Sequence, residues 1–196
     1  QYLAGYVGIR MLNALIDSIK ELLHQNKSRA VFIVIDGRAG AGKTTLANEI
    51  VDQCGVGEII HCDDLYNGWN DALTPTFERH LREWITQPLT NGEMPTYQKY
   101  DWGREEFQSA IKVPSTPLII LEGVGAALPF VTALADLAIW IDIPEEVGLN
   151  RVLQRDGEVI HREMLQWMAQ QRDFFAAHHN RTNCSLHIDY GAPAQP

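Results

Sequence analysis

The sequence predicts a three-layer α/β fold, a parallel sheet buried between two layers of helices. Two observations carry this. Five short β-rich runs are apolar on both faces rather than alternating, as a sheet covered on both sides requires. Helical patterns separate most of these runs, which is the rhythm of parallel strands joined by crossovers. A third observation places the chemistry. The first run enters a complete glycine-rich phosphate-loop motif that opens a helix.

Met11, Leu12, Leu15, Ile16, Ile19, Leu22 and Leu23 recur at helical spacing, so an amphipathic helix is expected over about 8–25. The five strands are expected at Val31–Asp36, Glu58–Cys62, Pro117–Glu122, Leu137–Ile143 and Ser185–Tyr190. Helices follow at Lys43–Gln53, at Glu145–Gln154 behind Pro144, and near 160–178. The stretch 64–116 interrupts the alternation. Phe77, Leu81, Trp84 and Ile85 mark one helix near 75–87, and Asn91 to Thr116 reads as extended and turn-rich. This block is an insertion expected to fold over one edge of the sheet, within one domain spanning 1–196.

With 196 residues, 45% hydrophobic and 21% charged, the chain has an ordinary globular composition, which excludes disordered and collagen-like classes. Its three cysteines form no Cys-x-x-Cys pair, so a zinc ribbon or disulfide framework is not expected and a reducing compartment is. The net charge of -9 argues against a nucleic-acid partner. No apolar run is long enough to cross a bilayer, and Gln1 to His24 carries Asp17 and Glu21, unlike a signal peptide. The expectation is a soluble, cytoplasmic chain without a membrane partner. A homo-oligomer is compatible with the sequence, which does not specify assembly.

Gly37-Arg38-Ala39-Gly40-Ala41-Gly42-Lys43-Thr44 matches G-x-x-x-x-G-K-[ST] at every fixed position. Glycines let the backbone turn its N–H groups inward, forming a phosphate nest at the positive end of a helix. Lys43 is expected to bring a point charge to the β- and γ-phosphates, and Thr44 to ligate Mg²⁺. A base-reading Asn-Lys-x-Asp is absent, which favours an ATP-dependent kinase or ATPase over a GTPase switch. Glu122 ends an apolar strand as a Walker-B acid does, and is expected to hold the metal through water. Asp63 and Asp64 lie at the tip of the second strand, where open α/β sheets bind ligands, so a carboxylate there can accept a proton from a substrate hydroxyl. His61 and Cys62 read as core residues without a metal role.

Gly37–Thr45, Asp63-Asp64-Leu65-Tyr66, Tyr100-Asp101-Trp102, Leu121-Glu122-Gly123 and Arg151-x-x-x-Arg155-Asp156 occur in the order that uridine kinases carry them. Over about 30–190 the chain resembles the uridine kinase and phosphoribulokinase group of P-loop kinases. The resemblance implies a five-stranded core in the order 2-3-1-4-5, an acceptor-binding insertion over 64–116 and a lid near 151–162. It implies that Asp63 is the catalytic base, assisted by Lys43 and Arg155, and that Thr44, Glu122 and Asp63 surround the metal. Gly37, Ala39, Gly40, Ala41, Gly42, Thr45 and Arg151 fall to the nucleotide, and Tyr100 and Asp101 to the nucleoside-binding hairpin. Arg151 and Arg155 are four apart on one helix face and suit phosphate charge. Asp64, Tyr66, Trp102 and Arg162 are further candidates for acceptor contact, and Tyr66, Trp69, Tyr100 and Trp102 form an aromatic group suited either to stacking or to packing. The sequence departs from uridine kinases after the Tyr-Asp-aromatic motif, where Gly103-Arg104-Glu105-Glu106 lacks their His. The acceptor therefore stays open between a nucleoside and another small alcohol such as a sugar or a pantothenate-like molecule. A non-catalytic ATP-binding module is the third reading.

Overall fold

The computed structural model describes residues 6–189. In chain order the first elements are α1 (Tyr6–Gln25), β1 (Val31–Gly37), α2 (Lys43–Cys54) and β2 (Glu58–His61). The insertion follows with α3 (Pro75–His80), α4 (Gln87–Thr90) and two-residue strands β3 (Thr96–Tyr97), β4 (Tyr100–Asp101), β5 (Glu106–Phe107) and β6 (Ile111–Lys112). The chain then forms β7 (Leu118–Glu122), α5 (Pro129–Thr132), β8 (Leu137–Asp142), α6 (Glu145–Asp156), α7 (His161–His178), α8 (Asn180–Asn183) and β9 (Leu186–Asp189).

The main sheet has the order β2-β7-β1-β8-β9, with every adjacent pair parallel. Numbered among themselves, the five core strands run 2-3-1-4-5, the order implied by the resemblance. β1 is central and buried at all seven positions, which explains its unbroken apolar run up to Asp36. Its alternate residues divide the core. Phe32 and Val34 face a layer with Tyr66, Phe77, Leu81 and Trp167, whereas Val31, Ile33 and Ile35 face Leu15, Ile19, Leu46 and Ile50 of α1 and α2. Each such side chain contributes roughly 1.5–3 kcal/mol on burial.

Most expected strands end within a residue or two of the observed ones. β9 differs in character. As the sheet edge it buries Ile188 and exposes His187 and Asp189, so it alternates instead of being apolar throughout. The expected end of that strand, Tyr190, lies outside the described residues, as do Gln1 to Gly5. The helix expected near 75–87 is a longer helical run from Pro75 to Thr90, capped by Thr74, which accepts from the Thr76 N–H at 3.2 Å. Its middle turn, Leu81–Thr86, is π-helical. Pro88 has no N–H to return to the preceding turn, consistent with a widened ladder there. The turn-rich part of the insertion is one antiparallel ribbon, β3 pairing β6 and β4 pairing β5. Asp101 stabilises its tip by accepting from the N–H groups of Gly103 and Arg104, both at 3.0 Å.

Candidate active site

The tips of β1, β2 and β7 meet at one end of the sheet, and the phosphate loop fills the gap above β1. Gly40 has φ +74°, and a Cβ there would lie 2.2 Å from the carbonyl oxygen of Gly148 on α6. A Cβ on Gly148 would in turn meet the Ala39 oxygen at 2.5 Å. The loop and α6 therefore touch backbone to backbone, a packing that requires glycine on both sides. Lys43 is only 7% exposed, and its ammonium is held by the carbonyls of Gly37 and Arg38 at 3.0 and 2.9 Å.

Pairing of β2 with β7 sets His61 opposite Glu122. His61 Nδ1 donates to Glu122 Oε1 at 2.5 Å, and the Thr44 hydroxyl donates to the same oxygen at 2.9 Å. His61 is thus a partly exposed partner of Glu122, correcting its reading as a core residue; its hydrogen bond to Glu122 raises its pKa. Cys62 is fully buried, as expected. Asp63 follows in a 3-10 turn, Cys62–Asp64, and opens onto the cavity. Although water reaches its carboxylate, the dense surrounding protein raises its pKa first, and the Glu122 charge adds to that.

A cavity of about 560 Å³ joins these groups. It is lined by Ala39, Gly40, Gly42, Lys43, Thr44 and Thr45, with Glu122, Asp63, Arg151 and Arg155. Arg151 Nη1 donates to the Gly40 carbonyl at 3.3 Å, and Arg155 is chelated by its neighbour Asp156 at 2.6 and 2.7 Å. The cavity is lined as well by Tyr66, Trp69, Trp102, Ile160, Met164 and Trp167, an apolar and aromatic group. Tyr66 is also a core residue, 1% exposed, whose hydroxyl donates to the Val124 carbonyl at 2.6 Å.

Gly37, Ala41, Asp64, Tyr100, Asp101 and Arg162 do not line the cavity. Ala41 is buried beneath the loop, and Gly37 contributes the carbonyl that holds Lys43. Asp64 turns to Lys99 of the ribbon, 2.9 Å away. Tyr100 packs against Trp102 and Phe107, Asp101 serves its own turn, and Arg162 is exposed on the first turn of α7. The ribbon is tied to the strand tip a second time by Trp102 Nε1, which donates to the Asp63 carbonyl at 3.2 Å.

Two residues beyond the motifs organise the loop. Asp36 is fully buried and accepts from the N–H groups of Gly37, Gly125 and Ala127 and from the Asn180 amide, at 2.7–3.0 Å. Burial raises its pKa, and the surrounding donors oppose that rise. Gln171 of α7, also buried, accepts from the Ala39 N–H at 3.2 Å. A lone acid ending an otherwise apolar strand was the available signal for Asp36; nothing local marked Gln171.

A family model described as NB-ARC domain matches residues 12–85, less than half the chain but including the phosphate loop. A uridine kinase from Limosilactobacillus reuteri is 29% identical over 174 residues, 78% of each chain. One from Ureaplasma parvum serovar 3 is 27% identical over 163 residues, 75% of this chain and 79% of that one. Among solved structures, a candidate fructose transport system kinase from Silicibacter sp. TM1040 aligns with a TM-score of 0.64 at 22% identity, covering 90% of this chain and 98% of that one. A protein described as a possible uridine kinase from Bacillus stearothermophilus aligns with a TM-score of 0.60 at 18% identity, covering 91% and 100%. The two structures share the fold; the sequence relatives and the phosphate loop carry the assignment further. The chain is similar in sequence to uridine kinases and shares the fold of these solved structures, and it is an ATP-dependent small-molecule kinase.

Proposed function

We propose that the chain transfers the γ-phosphoryl group of ATP to a hydroxyl of a nucleoside of the uridine or cytidine class. The observation that supports this best is the shared cavity: Asp63 opens onto the same space as Lys43 and Thr44, and aromatic side chains line it as well. A module that only senses ATP has no use for a carboxylate on the acceptor side. The uridine kinases among the relatives favour a nucleoside over other alcohols.

In this reading the loop amides and Lys43 hold the β- and γ-phosphates, and Arg151 and Arg155 face the charge that spreads during transfer. Asp63 and Glu122 repel each other, and with the Thr44 hydroxyl they offer hard oxygen donors, a set suited to Mg²⁺. When bound, Mg²⁺ neutralises charge on the β- and γ-phosphate oxygens. His61 holds Glu122 in orientation through their hydrogen bond. The acceptor oxygen forms its bond to the γ-phosphorus as the bond to the β–γ bridging oxygen breaks. Asp63 takes the hydroxyl proton, and ADP carries away the bridging oxygen.

A panel of nucleosides, sugars and other small alcohols, each incubated with Mg-ATP and the protein, tests the reading. ADP release should rise above the protein-alone rate with uridine or cytidine and give the monophosphate. A panel in which only a non-nucleoside alcohol stimulates ADP release would replace the acceptor. One in which nothing does would remove the kinase reading.

A further inference from the structure

Trp69, Trp102 and Trp167 meet edge to face in the lining of the cavity. Ring centroids are 5.3 Å apart for Trp69 and Trp102 and 5.8 Å for Trp69 and Trp167, with interplanar angles of 62° and 86°. Trp69 and Trp102 remain 38% and 39% exposed, although both line a concave site. Large flat rings left open inside a cavity favour a flat ligand that covers them.

The groups that would read a base by its hydrogen-bonding edge are scarce there. Among the described residues no Asn, Gln, His or Ser lines the cavity, and the carboxylate of Asp156 that does is paired with Arg155. The Tyr66 hydroxyl is committed to the Val124 carbonyl, and the Trp102 N–H to the Asp63 carbonyl. Asp101, expected near the acceptor, is held in its own turn by Gly103, Arg104 and Gln108.

We propose that Trp69, Trp102 and Trp167 are specificity-determining residues that select the acceptor by the face of its ring and not by its edge. The proposal rests on the nucleoside reading above and narrows it. Stacking of a base on an aromatic side chain changes affinity by about 5- to 150-fold and tolerates base identity, because every base presents a π face. A site built on hydrogen bonds instead rejects an analogue lacking them by roughly 10⁴–10⁵-fold.

Three nucleosides separate the two modes. Cytidine keeps the face of uridine and changes its edge, whereas 5,6-dihydrouridine keeps the edge and loses the planar aromatic face. kcat/KM with Mg-ATP, and affinity by calorimetry, should agree within about tenfold for uridine and cytidine and fall at least about fivefold for dihydrouridine. Trp69→Ala should raise KM for uridine and cytidine by a similar factor, and Trp69→Phe should recover most of the loss. Trp69 is half-exposed in a surface turn, and circular dichroism with the Mg-ATP thermal shift verifies that both variants fold. Three results would each overturn face recognition while leaving a nucleoside kinase intact: a preference for uridine over cytidine above about 100-fold, equal use of dihydrouridine, or an unchanged KM in Trp69→Ala. If none of the three nucleosides is bound or phosphorylated, the proposal and the nucleoside reading fail together.

Discussion

Asp36 and Asp63 are carboxylates at the tips of neighbouring parts of one sheet, and their surroundings give them opposite work. Asp36 has a donor on every side and is closed to solvent. Replacing it with Ala leaves the Gly37, Gly125 and Ala127 N–H groups without their acceptor. Urea unfolding should show a loss of roughly 2–4 kcal/mol, since each orphaned buried donor costs about 1–3. Asp63 faces the cavity with Glu122 near it. Asp63→Asn keeps the size but cannot take up a proton, so kcat should fall about 10²–10⁴-fold with ATP affinity nearly unchanged. The raised pKa of Asp63 fixes the sign of the pH dependence. In the proposed mechanism the base acts in its ionised form, so kcat/KM should decline as pH falls through an apparent pKa above the ordinary Asp value of about 3.9. A pH–rate profile in which that acid limb survives in Asp63→Asn would assign the limb elsewhere. Asp63 was legible because a strand tip and a motif mark it. Asp36 was not, because its partners Ala127 and Asn180 stand 91 and 144 positions away.

At the level of elements, the sequence disclosed what repeats or alternates. The five core strands and the helices α1, α2, α6 and α7 follow from apolar rhythm and from the phosphate-loop motif. The π-helical turn did not, because Phe77, Leu81, Trp84 and Ile85 fit ordinary helical spacing regardless of the ladder. The ribbon of the insertion read only as extended, since strands of two residues carry too little pattern to assign a register. Its attachment to the β2 tip rests on Lys99 with Asp64 and on Trp102 with the Asp63 carbonyl. The Lys99–Asp64 pair is partly exposed and is worth about 0–1 kcal/mol to stability. Lys99→Ala should therefore leave Tm nearly unchanged, while a looser ribbon raises the acceptor KM several-fold. Steady-state kinetics beside a melting curve checks both halves, and a variant with unchanged acceptor KM would show that the ion pair does not position the site.

Across the whole molecule, two bodies border the cavity. One is the sheet with the phosphate loop. The other comprises the insertion, the 3-10 turn Glu158–Ile160 and the first two turns of α7, which contribute Trp69, Trp102, Ile160, Met164 and Trp167. Hydrogen exchange should slow in 64–116 and in 158–164 when an ATP analogue and a nucleoside are added together, because a kinase must exclude water from the transferring group. No slowing in either segment would argue against closure. The glycine contact between the phosphate loop and α6 bears on how such closure is divided. Because Gly40 and Gly148 leave no side chain between the two backbones, α6 cannot lift away without opening a gap under the loop. Arg151 and Arg155 then travel with the nucleotide side. The pivot is expected at Gly157, which ends α6 at φ +91° with nothing within 4 Å of a Cβ placed there. A grip on ATP that is finished before the jaw moves lets ATP bind without the acceptor. The kinetic order is therefore expected to be nucleotide first, with the acceptor supplying the contacts that draw the jaw shut.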